Sequence, residues 1–182
     1  PPPVIHAEVV ILDECTSLVV SEMCIRDRRY LTNNITVIYM FGNNRNELRQ
    51  IYLSCWQLKK NNLPMDPMQV VVANIVELHP EYHPLLEDEE VVERDFSAEM
   101  GESNPFLHMS MHIALHEQVS TNRPEGINDC YQKLCLLHGG PHDAEHQMME
   151  CLGEALWNAQ RSQTAPDEVK YLDCLKKIAN IV

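Results

Sequence analysis

The chain has 182 residues, 45% of them hydrophobic, enough to bury a core in one domain or a small pair. Lys plus Arg number 14 against 27 Asp plus Glu, a formal charge of −13, so nucleic acid and anionic membrane repel the chain at long range and neither is an expected partner. No run of about 18 apolar residues is present, so no transmembrane helix is expected.

Seven cysteines stand at positions 15, 24, 55, 130, 135, 151 and 174, with no CxxC pair among them. Their number is odd and several fall in apolar helical stripes. Free buried thiols in a reducing cytoplasm fit this pattern better than disulfides or a thiolate metal site. The apolar run VVILDECTSLVV is broken by Asp13 and Glu14, which spoils it as a signal-peptide core.

Residues 1–39 read differently from the rest, as short β-like runs without helical periodicity. Within them SEMCIRDR (21–28) resembles the in-frame translation of a transposase adapter used to prepare sequencing libraries. Residues 1–39 are therefore expected to be an artefactual or disordered extension, and 40–182 a single all-helical domain.

NRNELRQIYLSCWQLKKNN predicts a first helix with Leu48, Ile51, Tyr52, Cys55 and Leu58 inward, Asn44 at its start and Lys59–Lys60 at its negative end. DPMQVVVANIVELHP predicts a second, capped by Asp66 with Pro67 in its first turn, burying Met68, Val71, Val72, Ile75 and Val76 and stopping before Pro80. Residues 79–103 are acidic and irregular, with short helical turns at most; a connector of this length is often functional.

A third helix starts at Pro105 behind Asn104 and runs to about Thr121. A fourth carries Ile127, Cys130, Tyr131, Leu134 and Leu137 inward and ends at Gly139. A fifth starts at Pro141, with the stripe Ala144, Met148, Cys151, Leu152, Ala155 and Ala159. The sixth takes Thr164 as cap and turns Val169, Leu172, Leu175 and Ile178 inward. The pattern predicts an all-α bundle of five to six helices.

The blocks MFGNNRNELRQIYLSCW, HPEYHPLLED, NPFLHMSMHIALHEQ, NRPEGI and HDAEHQMMECLGEALWNAQR, in this order, resemble a proteobacterial family called domain of unknown function 1841. The resemblance covers 40–182 and implies a small cytoplasmic bacterial protein. It transfers no catalytic or binding residue. Gly140 stands where the resemblance leads one to expect Asp.

The histidines carry the chemistry. His108, His112 and His116 are four apart on the third helix; His142 and His146 are four apart on the fifth, with Glu150 one turn on. This spacing puts imidazoles on one helix face, as a bidentate metal grip requires. On the third helix, Leu107, Met111, Leu115 and Val119 flank the histidines on one side and Met109 and Ile113 on the other, so all three are expected inside the apolar arc. Burial disfavours a charged imidazolium, so such rings need hydrogen-bond or metal partners. Short connectors make the third and fifth helices parallel and bring the two pairs to similar depth.

Other motifs carry less. HEQVS (116–120) has Ser120 where a zincin helix needs a second His, and neither helix has the Glu-x-x-His of di-iron carboxylate bundles. HPEYHP offers His79 and His83 as extra ligands, but its prolines suit a helix stop and turn. Two readings follow. In the first, a transition metal (zinc, iron, manganese or nickel) lies between the third and fifth helices, held by His108, His112, His142 and His146, with Glu150 and His116 as alternates. In the second, the chain is a non-catalytic protein-interaction module with a buried His/Glu polar network and an acidic loop, 84–95, that meets a protein partner.

Overall fold

A computed structural model describes residues 45–96 and 104–181. The expected extension 1–39 and its adapter-like segment lie outside the described residues, as does the Asn44 cap. Among those described the protein is all-α, with six α-helices: α1 (Arg45–Lys60), α2 (Pro67–Glu77), α3 (Pro105–Thr121), α4 (Ile127–His138), α5 (Pro141–Ser162) and α6 (Glu168–Ile178). Three 3-10 turns, Pro80–Tyr82, Leu85–Glu87 and Glu89–Val92, order the connector after α2. The chain divides into two compact units, Pro1–Met109 and Ser110–Val182, and the division falls inside α3.

In the first unit α1 buries Arg49, Tyr52, Leu53, Cys55 and Trp56. The inward face is thus turned from the predicted Leu48/Ile51/Leu58 stripe. The reason is Arg49, a residue only 2% exposed yet well partnered. It donates to the carbonyls of Val92 at 3.2 Å and Arg94 at 2.6 Å, and lies over the rings of Phe96 and Phe106. At the far end of α1, Lys59 Nζ donates to Glu77 at 2.6 Å and Asn74 at 2.7 Å, and Lys60 pairs with Glu87 at 2.8 Å. The start of α2 is a capping box: the Asp66 carboxylate accepts from Gln69 N, and the Gln69 side chain accepts from Asp66 N, both at 2.9 Å. Leu86, Val91 and Val92 of the turns are buried, so the connector has its own apolar anchors.

α3 opens as expected, with Asn104 Oδ1 accepting from the backbone N–H of Phe106 and Leu107. Its buried face then moves round the helix. Phe106 and Met109 are buried near its start and Leu115 further on, with His112 about 60° from both Met109 and Leu115.

The core of the second unit gathers Leu115, Ile127, Leu134, Met148, Leu152 and Leu175 from all four helices. α4 ends at Gly139, whose φ of 88° only glycine adopts at low cost. Leu137, expected inward, is 48% exposed because the core face of α4 is set by Ile127, Cys130 and Leu134. α6 begins later than predicted. Thr164 is engaged in closing α5, its N–H on the Ala159 carbonyl and its hydroxyl 2.8 Å from that of Ser162. Asp167 is the cap instead, accepting from Lys170 N at 3.1 Å. The inward residues are then Tyr171 and Leu175, and Val169 is 71% exposed. Cys151 and Cys174 form a disulfide between α5 and α6, which corrects the expectation of free thiols; among the described residues Cys55, Cys130 and Cys135 are free.

Candidate metal centre

The first unit holds one pair of facing imidazoles. Pro80 disfavours helical geometry at His79, so α2 stops and His79 leaves it at φ −121°, ψ 68°. The ring folds back on the helix end. Its Nδ1 donates to the Ile75 carbonyl at 2.7 Å, one of the last four carbonyls that the helix cannot satisfy itself. That bond fixes the tautomer: the proton is on Nδ1 and the lone pair on Nε2. His79 is fully buried, and its Nε2 faces His108 Nε2 on α3 at 3.0 Å. Two nitrogens bound to one ion at about 2.0–2.1 Å each, at bond angles near 90–110°, stand about 3.0–3.4 Å apart. Tyr82 stacks on His79, with ring centroids 5.6 Å apart, and meets His108 edge-on. His83 is turned elsewhere: its Nε2 lies 2.9 Å from the Val76 carbonyl and its ring stacks on Trp56.

The second unit holds three imidazoles and a carboxylate. His112 is 1% exposed. Its Nδ1 donates to Glu145 Oε2 on α5 at 2.5 Å. His112 stacks parallel to His142, centroids 5.2 Å apart, and is tilted against His146 at 5.0 Å; His142 and His146 are 4.3 Å apart. A ring nitrogen of His112 and one of His146 lie within 4.8 Å of each other. With the Nδ1 proton held by Glu145, Nε2 is the nitrogen His112 offers a metal. A ligand histidine oriented by a carboxylate is a frequent outer-shell arrangement, and it raises the basicity of the ligand nitrogen.

The surroundings of Glu145 are set by α4. Burial first, then the Glu145 carboxylate, push the Tyr131 phenol up to about 12. Burial raises the Cys135 thiol, a hydrogen bond with Tyr131 works against that rise, and Glu145 adds to it. Both groups are therefore protonated at neutral pH, so this flank presents neutral donors rather than a thiolate ligand.

Of the six residues singled out in the sequence, His112, His142 and His146 are brought together. His108 lies one turn before His112 on α3 and meets His79. His116 and Glu150 are exposed. His116 falls outside the buried arc because it sits about 100° round the helix from Leu115, which sets the inward face at that level. Glu145 and the His79–His108 contact are additions. Glu145 is three residues after His142 on the same side of α5, a signal present in the sequence but overshadowed by Glu150, which continues the every-fourth-residue line.

The protein is thus an all-helical one that carries a histidine cluster able to hold a metal ion. It belongs to the family described as domain of unknown function (DUF1841), whose match spans residues 44–177. No curated protein and no solved structure matches the chain. No helix of the described residues is long and apolar enough to cross a membrane.

Proposed function

We propose that this protein binds a transition-metal ion through its histidines. The ligands are His112, His142 and His146 of the second unit, and Glu145 holds His112 in the ligating tautomer. His112 and His146 can each give one ring nitrogen. The observation that carries the reading is the Glu145–His112 hydrogen bond, beside two further imidazoles within about 5 Å of His112. An all-imidazole donor set without thiolate suits zinc, nickel or iron better than manganese, which favours carboxylate oxygen. The test is metal analysis of protein purified without an affinity His tag, followed by melting with added zinc, iron, manganese or nickel. Bound metal or a rise in melting temperature supports the reading; metal-free protein with no rise for any of the four overturns it.

A second reading is favoured by the same bonds. His79 with His108 in the first unit, and His112 with Glu145 in the second, satisfy each other as buried polar pairs, and the exposed carboxylates of Glu89, Glu90 and Glu93 leave the connector 84–95 open to a basic partner in the cytoplasm. This reading predicts that His112→Ala loses stability with no dependence on metal. Metal content that disappears in His112→Ala counts against it.

A further inference from the structure

Within the second unit, α6 is tied to both helices that carry its histidines. Cys174 is bonded to Cys151 on α5, five residues after His146. Tyr171 donates its hydroxyl to Gln118 Oε1 at 2.8 Å on α3, six residues after His112. Tyr171 and Leu175 of α6 lie in one core with Leu115 of α3 and Met148 and Leu152 of α5. α6 therefore bridges the helix of His112 and the helix of His142 and His146.

Beyond its covalent bond, α6 rests on a small apolar face, with Tyr171 and Leu175 buried and Leu172 and Ile178 partly buried against the core. It has 11 residues, of which only Tyr171 and Leu175 are buried within the helix. A helix this short is marginal in water without tertiary packing, and elements with few buried contacts open locally at low free energy.

Resting on the metal-binding reading above, we propose that Cys151–Cys174 is a redox switch on that site. In the oxidised chain α6 stays docked and holds α3 and α5 at the spacing that aligns His112 with His142 and His146. A dithiol reductant opens it. One thiolate attacks the Cys174 sulfur, which is only half-buried, and releases Cys151 as a thiolate that takes up a proton. The second thiol of the reductant displaces Cys174, which is protonated in turn, and the reductant leaves as its cyclic disulfide. Reduced α6 undocks for part of the time, and the metal then meets a chain that is competent only in its docked fraction. Apparent affinity falls in proportion to that fraction. Linkage requires the reverse effect: metal that prefers the oxidised chain stabilises its disulfide by the same factor, about 30 mV in reduction potential for a tenfold preference.

The experiment uses the full chain, free of tag. Zinc affinity is measured by competition with a chromophoric chelator for the oxidised protein and for protein reduced with dithiothreitol and desalted without air. Cys151→Ser/Cys174→Ser is measured alongside, and hydrogen exchange of residues 168–178 is followed in each state. The expected result is zinc binding about tenfold weaker after reduction, with faster exchange in α6; that factor corresponds to a docked fraction of about one tenth. The double variant should match the reduced chain and ignore the dithiol. Equal zinc affinity in the oxidised and reduced chains overturns the switch while leaving metal binding intact. Absence of zinc, iron, manganese and nickel binding in both forms overturns the metal reading and the switch with it.

Discussion

The Nδ1 of His112 on α3 donates to Oε2 of Glu145 on α5 at 2.5 Å, joining a 1% exposed imidazole to a largely buried carboxylate. A bond of this kind, with a charged acceptor, is about twice as strong as a neutral one. It decides which nitrogen of His112 is available to a ligand. Glu145→Gln keeps an acceptor but loses the charge, so zinc affinity should fall about 10–100-fold while the fold survives. Glu145→Ala removes the acceptor and should also cost about 1–3 kcal/mol of stability. Zinc competition and urea melts measure both. Unchanged affinity in Glu145→Gln means that Glu145 has no role in orienting a metal ligand.

The His79 ring closes the end of α2 from inside the first unit. Its Nδ1 satisfies the Ile75 carbonyl and its Nε2 meets His108, with no exposed surface on the side chain. His79→Ala leaves those polar atoms buried and should destabilise the protein by about 1–3 kcal/mol in a urea melt. A loss below about 0.5 kcal/mol, the range of an ordinary surface substitution, would show that the contacts carry little.

Gly140 is the residue before α5, with φ 165°, an extended conformation open to any side chain, and it gives no side-chain cap. A Cβ there meets nothing within 4 Å. Gly140→Asp should supply the missing acceptor and place a negative charge at the positive helix end. The expected gain is a few tenths to about 1 kcal/mol, read as a raised melting temperature at neutral pH. A lowered melting temperature contradicts the prediction.

Asp167 caps α6 and its carboxyl is held below the ordinary value of 3.8, first by the Lys170 backbone N–H and then by the Lys170 side chain. A depressed carboxyl stabilises the folded chain above its unfolded value and loses that contribution as pH falls through the folded one. Asp167→Ala should therefore melt below the wild type at pH 7, and the gap should close as pH drops below 3.8. A gap that persists at pH 2 would place the effect outside the carboxylate.

Much of this fold was legible in local sequence. Asp66 before Pro67 and Asn104 before Pro105 mark two helix starts, because a short polar side chain and a ring with fixed φ act on their own immediate backbone. Thr164 and Asp167 are both competent caps three residues apart; the choice was settled by the end of α5, which engages Thr164. The HxxxH spacings pointed to His112, His142 and His146, whose rings lie beside one another. His79 was less legible, since its partner His108 is 29 residues away and its burial depends on tertiary packing. The disulfide was hidden for a similar reason. Cys151 sits in an apolar stripe like any buried thiol, and only the relative phase of two helices places Cys174 against it.

Arg49 grips the connector by the carbonyls of Val92 and Arg94, atoms that every residue possesses. The acidic side chains on that segment contribute nothing to this grip. Selection can therefore rewrite much of their charge pattern, and with it any recognition they perform, while Arg49 and the buried Leu86, Val91 and Val92 keep the segment in place. Arg49 itself has no such freedom: a lysine ammonium lacks the planar guanidinium that lies over the rings of Phe96 and Phe106 while its Nη1 serves both carbonyls.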